Sequence, residues 1–536
     1  MKRLIKSIKK NKFEIIILAI IISIAIFLRF YNITKLNFFT YDQARDAIYV
    51  KRIVADHIPR LLGTQTSLPG MYLPPFYYYT IAPVLWLAKL NPIGIDIYSA
   101  TIGVLTVVLV FWVANQIFGR PAGIVSAALY SVSPLNVELS RRAWNPNTLP
   151  FFILLAFYFL WRYFEKKRER DFLFASIVYG YCLSLHFGAW TLAPIFLFSW
   201  LFFWKKNGDK KILLGSAGAI IFFVLPLFLF ELRHNFFLFN QVKVFFFDRQ
   251  HLGLAHGNFI ESILTSVIAV FTILISGRIL VGTEAPFEFS GKIKDLFRLS
   301  RPVSVVAQRP FSLSFQWWGI VILGLVVAFS VWFLVKKEKK TWKLSLGLLW
   351  IWALTGIVAA QFYAGKFFFF YYLFLLPVPF LLLGFLAKAF WEINWGRLIV
   401  ILGVLAMVCF HFQHTTVFET YWRDINDLHH IAQVIAKDIP GDVAFNIASA
   451  RREADRWDRN AVDYQYFIET FYDRKPLDWL PEDYEKAEIL YFVSESGPLN
   501  PIDSPIMEVK KFDPKEILKT WELPKGVVIY KLGKQE

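Results

Sequence analysis

Between residues 39 and 57 the chain reads Phe39-Thr-Tyr-Asp-Gln-Ala-Arg-Asp-Ala-Ile-Tyr-Val-Lys-Arg-Ile-Val-Ala-Asp-His57. Thr40 and Gln43 stand at capping-box spacing, and Ala47, Val50 and Val54 recur on one face, so the stretch opens an amphipathic helix. Asp42 falls in its first turn, with Arg45 and Asp46 at i+3 and i+4 on the same side. Such a helix lies on a membrane surface and holds a carboxylate near the level of a lipid head group. The competing reading is plain: an acid in a first turn suits the helix dipole in any protein, and Arg45 and Asp46 then form a solvated face.

What surrounds this stretch favours a membrane. The basic start, Met1 to Lys12, precedes an apolar run from Ile15 to Leu28 with no small-residue cleavage site after it. That pattern is an uncleaved first transmembrane helix with its N-terminus inside. A spanning helix needs about 20 mostly apolar residues. Further candidates are 95–117, 121–139, 146–164, 171–188, 189–204 (a short one), 211–231, 316–335, 341–360, 366–386 and 396–413, for about eleven transmembrane helices. Alternation from an inside N-terminus puts the basic clusters at 162–170, 205–211 and 336–343 all on the cytoplasmic side, as the positive-inside rule requires. Residues 258–281 are apolar enough to span, but a crossing there would turn the third cluster outward, so they read as a re-entrant or interfacial helix.

Composition agrees. The 536 residues are 56% hydrophobic and 18% charged, with a mean hydropathy of +0.46; soluble proteins are about a quarter charged. This excludes disordered, fibrous and small disulfide-rich classes. Residues 1–415 carry 42 Lys and Arg against 18 Asp and Glu, while residues 416–536 carry 16 against 23. The basic excess therefore belongs to the apolar part and its cytoplasmic loops, not to a nucleic-acid surface. Cys182 and Cys409 lie in apolar stretches and read as small buried side chains. The expected fold is an α-helical polytopic membrane protein, with a membrane domain over 1–415 and a small C-terminal α/β extracytoplasmic domain over 416–536. A helix around 429–437 and strands at 443–447, 489–493 and 527–531 are expected there. Alternation also leaves the loop 31–94, the turn 140–147 and the loop 232–315 outside. The sequence has no internal repeat, P-loop, zinc spacing or Gly-x-Ser-x-Gly motif.

Later in the first outer loop comes Gly70-Met-Tyr-Leu-Pro-Pro-Phe-Tyr-Tyr-Tyr, and after the third helix Ser140-Arg-Arg-Ala-Trp-Asn-Pro-Asn. Tyr77 and Tyr78 suit either an interfacial aromatic belt or a sugar-stacking surface. Together with Tyr-Asp-Gln-Ala-Arg-Asp after a first helix, these motifs resemble the GT-C glycosyltransferases. They are most similar to the protein O-mannosyltransferase and aminoarabinose transferase branches, over roughly residues 10–415. The resemblance implies an inverting enzyme that moves a sugar from a polyprenyl-phosphate donor to a hydroxyl acceptor on the outer face of the plasma membrane. It implies Asp42 as base or acceptor-positioning group. There are departures: Gln43 stands where the family often has Glu, Leu73 where one branch has Lys, and Asn145 or Asn147 where relatives carry Asp. They bear on the donor sugar and on any divalent metal held by paired acids.

The chemistry is coherent on its own terms. Inverting transfer to a hydroxyl needs a carboxylate to take the acceptor proton and cations beside the leaving phosphate. Asp42 is the candidate base, with Asp46 the alternative or a group holding Arg45. Candidate phosphate partners are Arg141 and Arg142, then Arg233 and His234, then Lys366; each has the alternative of a cation snorkelling to the interface. Glu138 and Glu231 rank below Asp42, and His186 reads as a packing residue. The residues call for no particular cofactor, and a divalent metal held by carboxylates from distant loops stays open. Two other readings stay open: a lipid-linked sugar transporter or flippase, and an envelope-glycan polymerase or ligase.

Overall fold

The structure, a computed structural model, describes residues 12–37, 39–66, 70–206, 208–247, 258–281, 303–304, 311–314, 316–336, 340–363, 369–419, 423–450 and 461–535. The first apolar run forms α1 (Lys12–Phe30). The first loop holds α2 (Tyr41–Val54) and α3 (Phe76–Leu87), and α4 (Ile93–Phe118) returns through the bundle. There follow α5 (Arg120–Val132), α6 (Pro134–Ser140), α7 (Leu149–Lys166), α8 (Glu169–Cys182), α9 (Ala193–Lys205), α10 (Lys210–Arg233), α11 (Phe237–Phe247) and α12 (Phe259–Ser276). The last helices of the bundle are α13 (Trp317–Val335), α14 (Lys340–Ala360), α15 (Pro377–Trp391) and α16 (Gly396–Gln413). Phe222 and Phe228 of α10, Val321 of α13 and Leu402 of α16 are among many large apolar side chains left exposed, as hydrocarbon rather than water would allow.

Ion pairs and hydrogen bonds sort the helix ends onto two faces. On one, Arg120 pairs with Glu14 at 3.1 Å and Arg162 with Asp171 at 3.0 Å. On the other, Arg141 reaches the carbonyls ending α1, and Asn145 reaches the carbonyl of Leu185 beyond α8. The C-terminal residues pack on this second face, here called the domain face.

Nine described helices are long and apolar enough to cross a membrane, and the bent pair Phe369–Leu375 and Pro377–Trp391 makes a tenth. Two of the expected spans, 121–139 and 171–188, are not in this set because each is interrupted. Pro134 has no N–H and disfavours helical backbone in the residue before it; Ser133 accordingly turns extended between α5 and α6. The fully buried Arg29 donates to the Ser131 carbonyl beside this break, at 3.0 Å. In the second case α8 stops at Cys182 and a 3-10 turn, Phe187–Leu192, leads into α9.

The segment 258–281 behaves differently from its neighbours. α12 has the length and hydropathy of a span. Yet Phe259 at its start packs on Phe362, just beyond the end of α14, and Ser266 meets Gln361. At its end, the Ile275 carbonyl meets His411 near the end of α16, and Ser276 bonds Gln316 just before α13. Both ends of α12 thus lie beside helix ends on the domain face. Elsewhere the bundle closes through small residues: a Cβ on Gly384 of α15 would come within 2.1 Å of Ser126 Oγ on α5, and Ser126 donates to the Phe380 carbonyl at 2.8 Å, a close helix approach typical of membrane interiors.

The C-terminal unit begins with α17 (Ile425–Asp438) and has a four-stranded sheet, β4 (Phe445–Ala450), β5 (Ile489–Ser494), β7 (Val527–Lys534) and β6 (Lys515–Leu523) in that order. A short sheet in the loop 278–314 supplies β1 to β3. β4 and β5 are parallel, joined through α18 (Val462–Tyr472) and α19 (Pro481–Lys486), and the other pairings are antiparallel. The expected helix and three strands are present; β6 was not expected. It is the edge strand and exposes most of its residues, and its charges at 515, 516, 519 and 522 hide the alternation while protecting the edge.

Arg423 sits just ahead of α17, buried, with Asp463 at 3.0 Å and Glu495 at 2.5 Å. Removing one member of a buried ion network leaves uncompensated charge, at about 3–5 kcal/mol. Arg423→Met is therefore expected to lower the urea midpoint of the C-terminal unit markedly; an unchanged midpoint would show that water reaches this network.

Candidate active site

The capping-box expectation is met: Gln43 Oε1 accepts from the Thr40 N–H at 2.9 Å, and α2 starts at Tyr41. The expectation that α2 lies on a membrane surface is corrected. Its first two turns are buried, charged residues included, because the C-terminal unit covers them. Phe39 packs on Tyr466 and Phe467, Tyr49 meets Trp479, and Glu469 pairs with Lys51 and Arg52. The reading of Arg45 and Asp46 as a solvated face falls with it, since both are under a tenth exposed.

Within this cover Arg45 serves two carboxylates. Its Nη1 lies 2.8 Å from Asp42 Oδ1, and its Nε and Nη2 lie 3.1 and 2.9 Å from Asp46 Oδ1. Tyr78, fully buried, donates its phenol to the same Asp46 oxygen at 3.1 Å and neighbours Thr64. Asp46 Oδ2 is buried with no hydrogen-bond partner among the described residues. One guanidinium cannot balance two carboxylates. Arg45 stays charged, held well above its ordinary range by Asp46 and Asp42 despite burial. Burial, aided by the charge of Asp42, pushes Asp46 up to about 6. Tyr77 is buried between Asp46 and Asp96, and burial followed by Asp46 raises its phenol well above the usual value.

The sequence reading passed over Asp96, in the first turn of α4 and fully buried. Its carboxylate accepts from the Asn37 amide and from the Ala143 N–H at 2.6 Å, with the Gln43 amide at 3.4 Å. Three separate segments thus meet on one side chain: the exit from α1, the start of α2 and the turn after α6. The available signal was an acid opening a long apolar helix, where ionisable groups are functional or structural by default.

The other expected site residues are dispersed. Arg141 places its guanidinium on the carbonyls of Leu28 at 2.5 Å and Tyr31 at 2.6 Å, so it caps the end of α1. Arg142 is buried, and its carbonyl accepts from the Asn147 amide at 3.1 Å. Asn145 donates to the Leu185 carbonyl at 2.5 Å, which fixes the turn rather than a ligand. Arg233 and His234 are exposed at the end of α10; His234 stacks on Phe230, and the neighbouring Glu231 caps α11 through Leu238 and Phe239 N–H. Glu138 accepts from Thr416, and His186 accepts from the Gly188 N–H. Lys366 lies outside the described residues. Among the described residues no group of three His, Cys, Asp or Glu is placed to hold a metal ion.

Two outcomes follow from this geometry. Asp96→Ala strands the Asn37 amide and the Ala143 N–H, each at about 1–3 kcal/mol, so thermal unfolding should shift to clearly lower temperature; an unshifted transition would show that the three segments do not need this carboxylate. The second concerns pH. Asp46 has a folded pKa above its unfolded value, so the folded state binds the extra proton, and its stabilising contribution is lost as pH rises through about 6. Asp46→Asn should therefore lose less stability than the native chain between about pH 4 and about pH 6; equal losses would mean Asp46 does not titrate there.

Comparison with known proteins places this arrangement. Residues 73–229 match the model of the dolichyl-phosphate-mannose-protein mannosyltransferase family. An uncharacterized protein of Aquifex aeolicus is 26% identical over 155 residues, which span 27% of this chain and 31% of that one, so the match covers about a third of the relative's length. ArnT from Cupriavidus metallidurans, solved bound to undecaprenyl phosphate, superposes over 97% of this chain and 98% of its own with a TM-score of 0.58 at 11% identity. The archaeal oligosaccharyltransferase AglB from Archaeoglobus fulgidus, solved with an inhibitory peptide and a dolichol-phosphate, superposes over 91% of this chain and 70% of its own with a TM-score of 0.52 at 14% identity. The chain has the GT-C glycosyltransferase fold, and its stretch from α3 to α10 carries the sequence pattern of the dolichyl-phosphate-mannose-protein mannosyltransferase family.

Proposed function

We propose that this protein is an inverting glycosyltransferase that moves a sugar from a polyprenyl-phosphate donor to a hydroxyl acceptor on the outer face of the plasma membrane. Residues 1–415 form the transferase domain. The N-terminus is cytoplasmic, and residues 416–536 form a domain outside; the three basic clusters support this orientation. The observation that carries the reading is the buried Asp42–Arg45–Asp46 constellation at the start of α2, on the domain face of a GT-C bundle.

In the reaction, Asp42 takes the proton of the acceptor hydroxyl as its oxygen bonds the anomeric carbon. The bond from that carbon to the phosphate oxygen breaks, and its electron pair leaves with the polyprenyl phosphate. Arg45, 2.8 Å from Asp42 Oδ1, holds that carboxylate in place. Asp46, neutral at lower pH, limits the negative charge beside it. Arg142 and Lys366 are the candidate partners of the leaving phosphate; Arg141 is occupied on α1, and Arg233 and His234 stand exposed at the rim.

The test is turnover of a panel of labelled polyprenyl-phosphate sugars by the purified protein in lipid, beside Asp42→Asn. The expected result is release of polyprenyl phosphate by the native chain and a loss of about 10²–10⁴-fold in kcat for the variant, with its unfolding midpoint retained. Equal consumption by both proteins would remove Asp42 from the reaction. Consumption of no sugar across varied acceptors and metals would favour the transporter reading.

A further inference from the structure

Four Lys or Arg side chains stand between residues 45 and 60. Three are ion-paired: Arg45 with Asp42 and Asp46, Lys51 with Asp56 and Glu469, Arg52 with Glu469. The fourth, Arg60, has no carboxylate or carbonyl partner among the described residues, yet it is held firmly. The phenol of Tyr79 accepts from the Arg60 N–H at 2.9 Å and donates to the Arg60 carbonyl at 2.8 Å. The guanidinium lies over the ring of Tyr49, 3.5 Å from its centroid. Stacking uses one face of a guanidinium and leaves its edge of N–H groups open to a planar or tetrahedral oxyanion.

The surroundings tie this arginine to the active site and to the C-terminal unit. Tyr49 packs on Tyr78, which bonds Asp46. On its other side Tyr49 meets Trp479, with ring centroids 6.4 Å apart. Trp479 is half-buried, and its segment is anchored to β4: Leu477 N–H donates to the Phe445 carbonyl, and the buried Asn446 amide to the Asp478 carbonyl, both at 2.9 Å. Arg60 and Trp479 therefore flank one tyrosine at the seam between the first outer loop and the C-terminal unit.

We propose that this seam is the acceptor subsite, in which Arg60 binds an oxyanion of the acceptor, phosphate or carboxylate, with Trp479 as an apolar wall contributed by the C-terminal unit. The word acceptor rests on the transferase reading above; the binding of an anion does not. A donor phosphate belongs at the rim of the bundle, where its lipid tail can reach the hydrocarbon. Arg60 instead follows the end of α2 that Glu469 and Trp479 of the C-terminal unit hold. A guanidinium also favours phosphate and carboxylate over neutral sugars through charge-assisted, two-point hydrogen bonds.

The test is equilibrium binding of two probes, phenyl phosphate and glucuronate, to the full chain in lipid nanodiscs. It compares native protein, Arg60→Met, Arg60→Lys, Trp479→Ala and, as a control at an exposed arginine outside the site, Arg397→Met. The expected result is saturable binding of at least one probe. Binding should weaken about tenfold or more in Arg60→Met, less in Arg60→Lys, measurably in Trp479→Ala, and not at all in Arg397→Met. Unfolding midpoints show whether each variant is folded, and Arg60→Lys preserves the charge if Arg60→Met does not fold. No saturable binding of either probe by the native chain, or equal binding by a folded Arg60→Met, would overturn the proposal. Displacement of the probe by undecaprenyl phosphate, with no effect of Trp479→Ala, would hand Arg60 to the lipid donor and overturn it too. Intact binding beside absent turnover would reject the transferase reading and leave the anion site standing.

Discussion

The site is organised by a buried carboxylate, Asp96, that collects N–H groups from three segments of the chain. Asp96 stands in the first turn of α4, where the helix dipole favours its charge, and it draws Asn37, the Ala143 N–H and, more loosely, the Gln43 amide onto one point. Those groups belong to three separate segments: the exit from α1, the start of α2 and the turn after α6. Satisfying a buried carboxylate therefore fixes where α1 ends, where α2 starts and how the turn after α6 is presented. The orientation of Asp42 follows from that, because Gln43 both caps α2 and faces Asp96.

The second constraint is burial of an unbalanced charge set. Under the C-terminal unit, Asp42 and Asp46 share Arg45, and Tyr78 adds a neutral donor. A surface helix would solvate such a set; here water is replaced by Phe467, Tyr466 and Trp479 on one side and the bundle on the other. That replacement makes the two acids unequal, with Asp46 the one driven toward its neutral form.

The sequence disclosed what depends on local pattern. Alternating charge clusters and apolar runs defined the bundle, the Thr40 and Gln43 spacing marked the start of α2, and three strands of the C-terminal sheet stood out as apolar runs. It also placed Asp42, Arg45, Asp46 and Tyr78 in one site. What it concealed depends on contacts between distant segments. The burial of α2 needs Tyr466 and Trp479, more than 400 residues onward. Asp96 looked like an ordinary helix-start acid until Asn37 and Ala143 met it. Arg141 carried the strongest basic signal on the outer side, yet its guanidinium is taken by the carbonyls of Leu28 and Tyr31. The break after α5 was hidden for a different reason, because hydropathy averages over a proline, Pro134, that backbone geometry cannot ignore.

The buried Arg29 has a consequence for how the chain is made. It sits near the end of α1, and the Ser131 carbonyl it uses lies 102 residues further on. The last carbonyls of the same helix wait still longer, for Arg141. Until α5 and α6 are synthesised, the newborn segment carries a cation and open carbonyls at one end, which hold that end at the bilayer surface rather than within the hydrocarbon. The partners that satisfy this polar end come only with α5 and α6, so the seating of α1 in the bundle depends on groups that follow it by 102 residues or more.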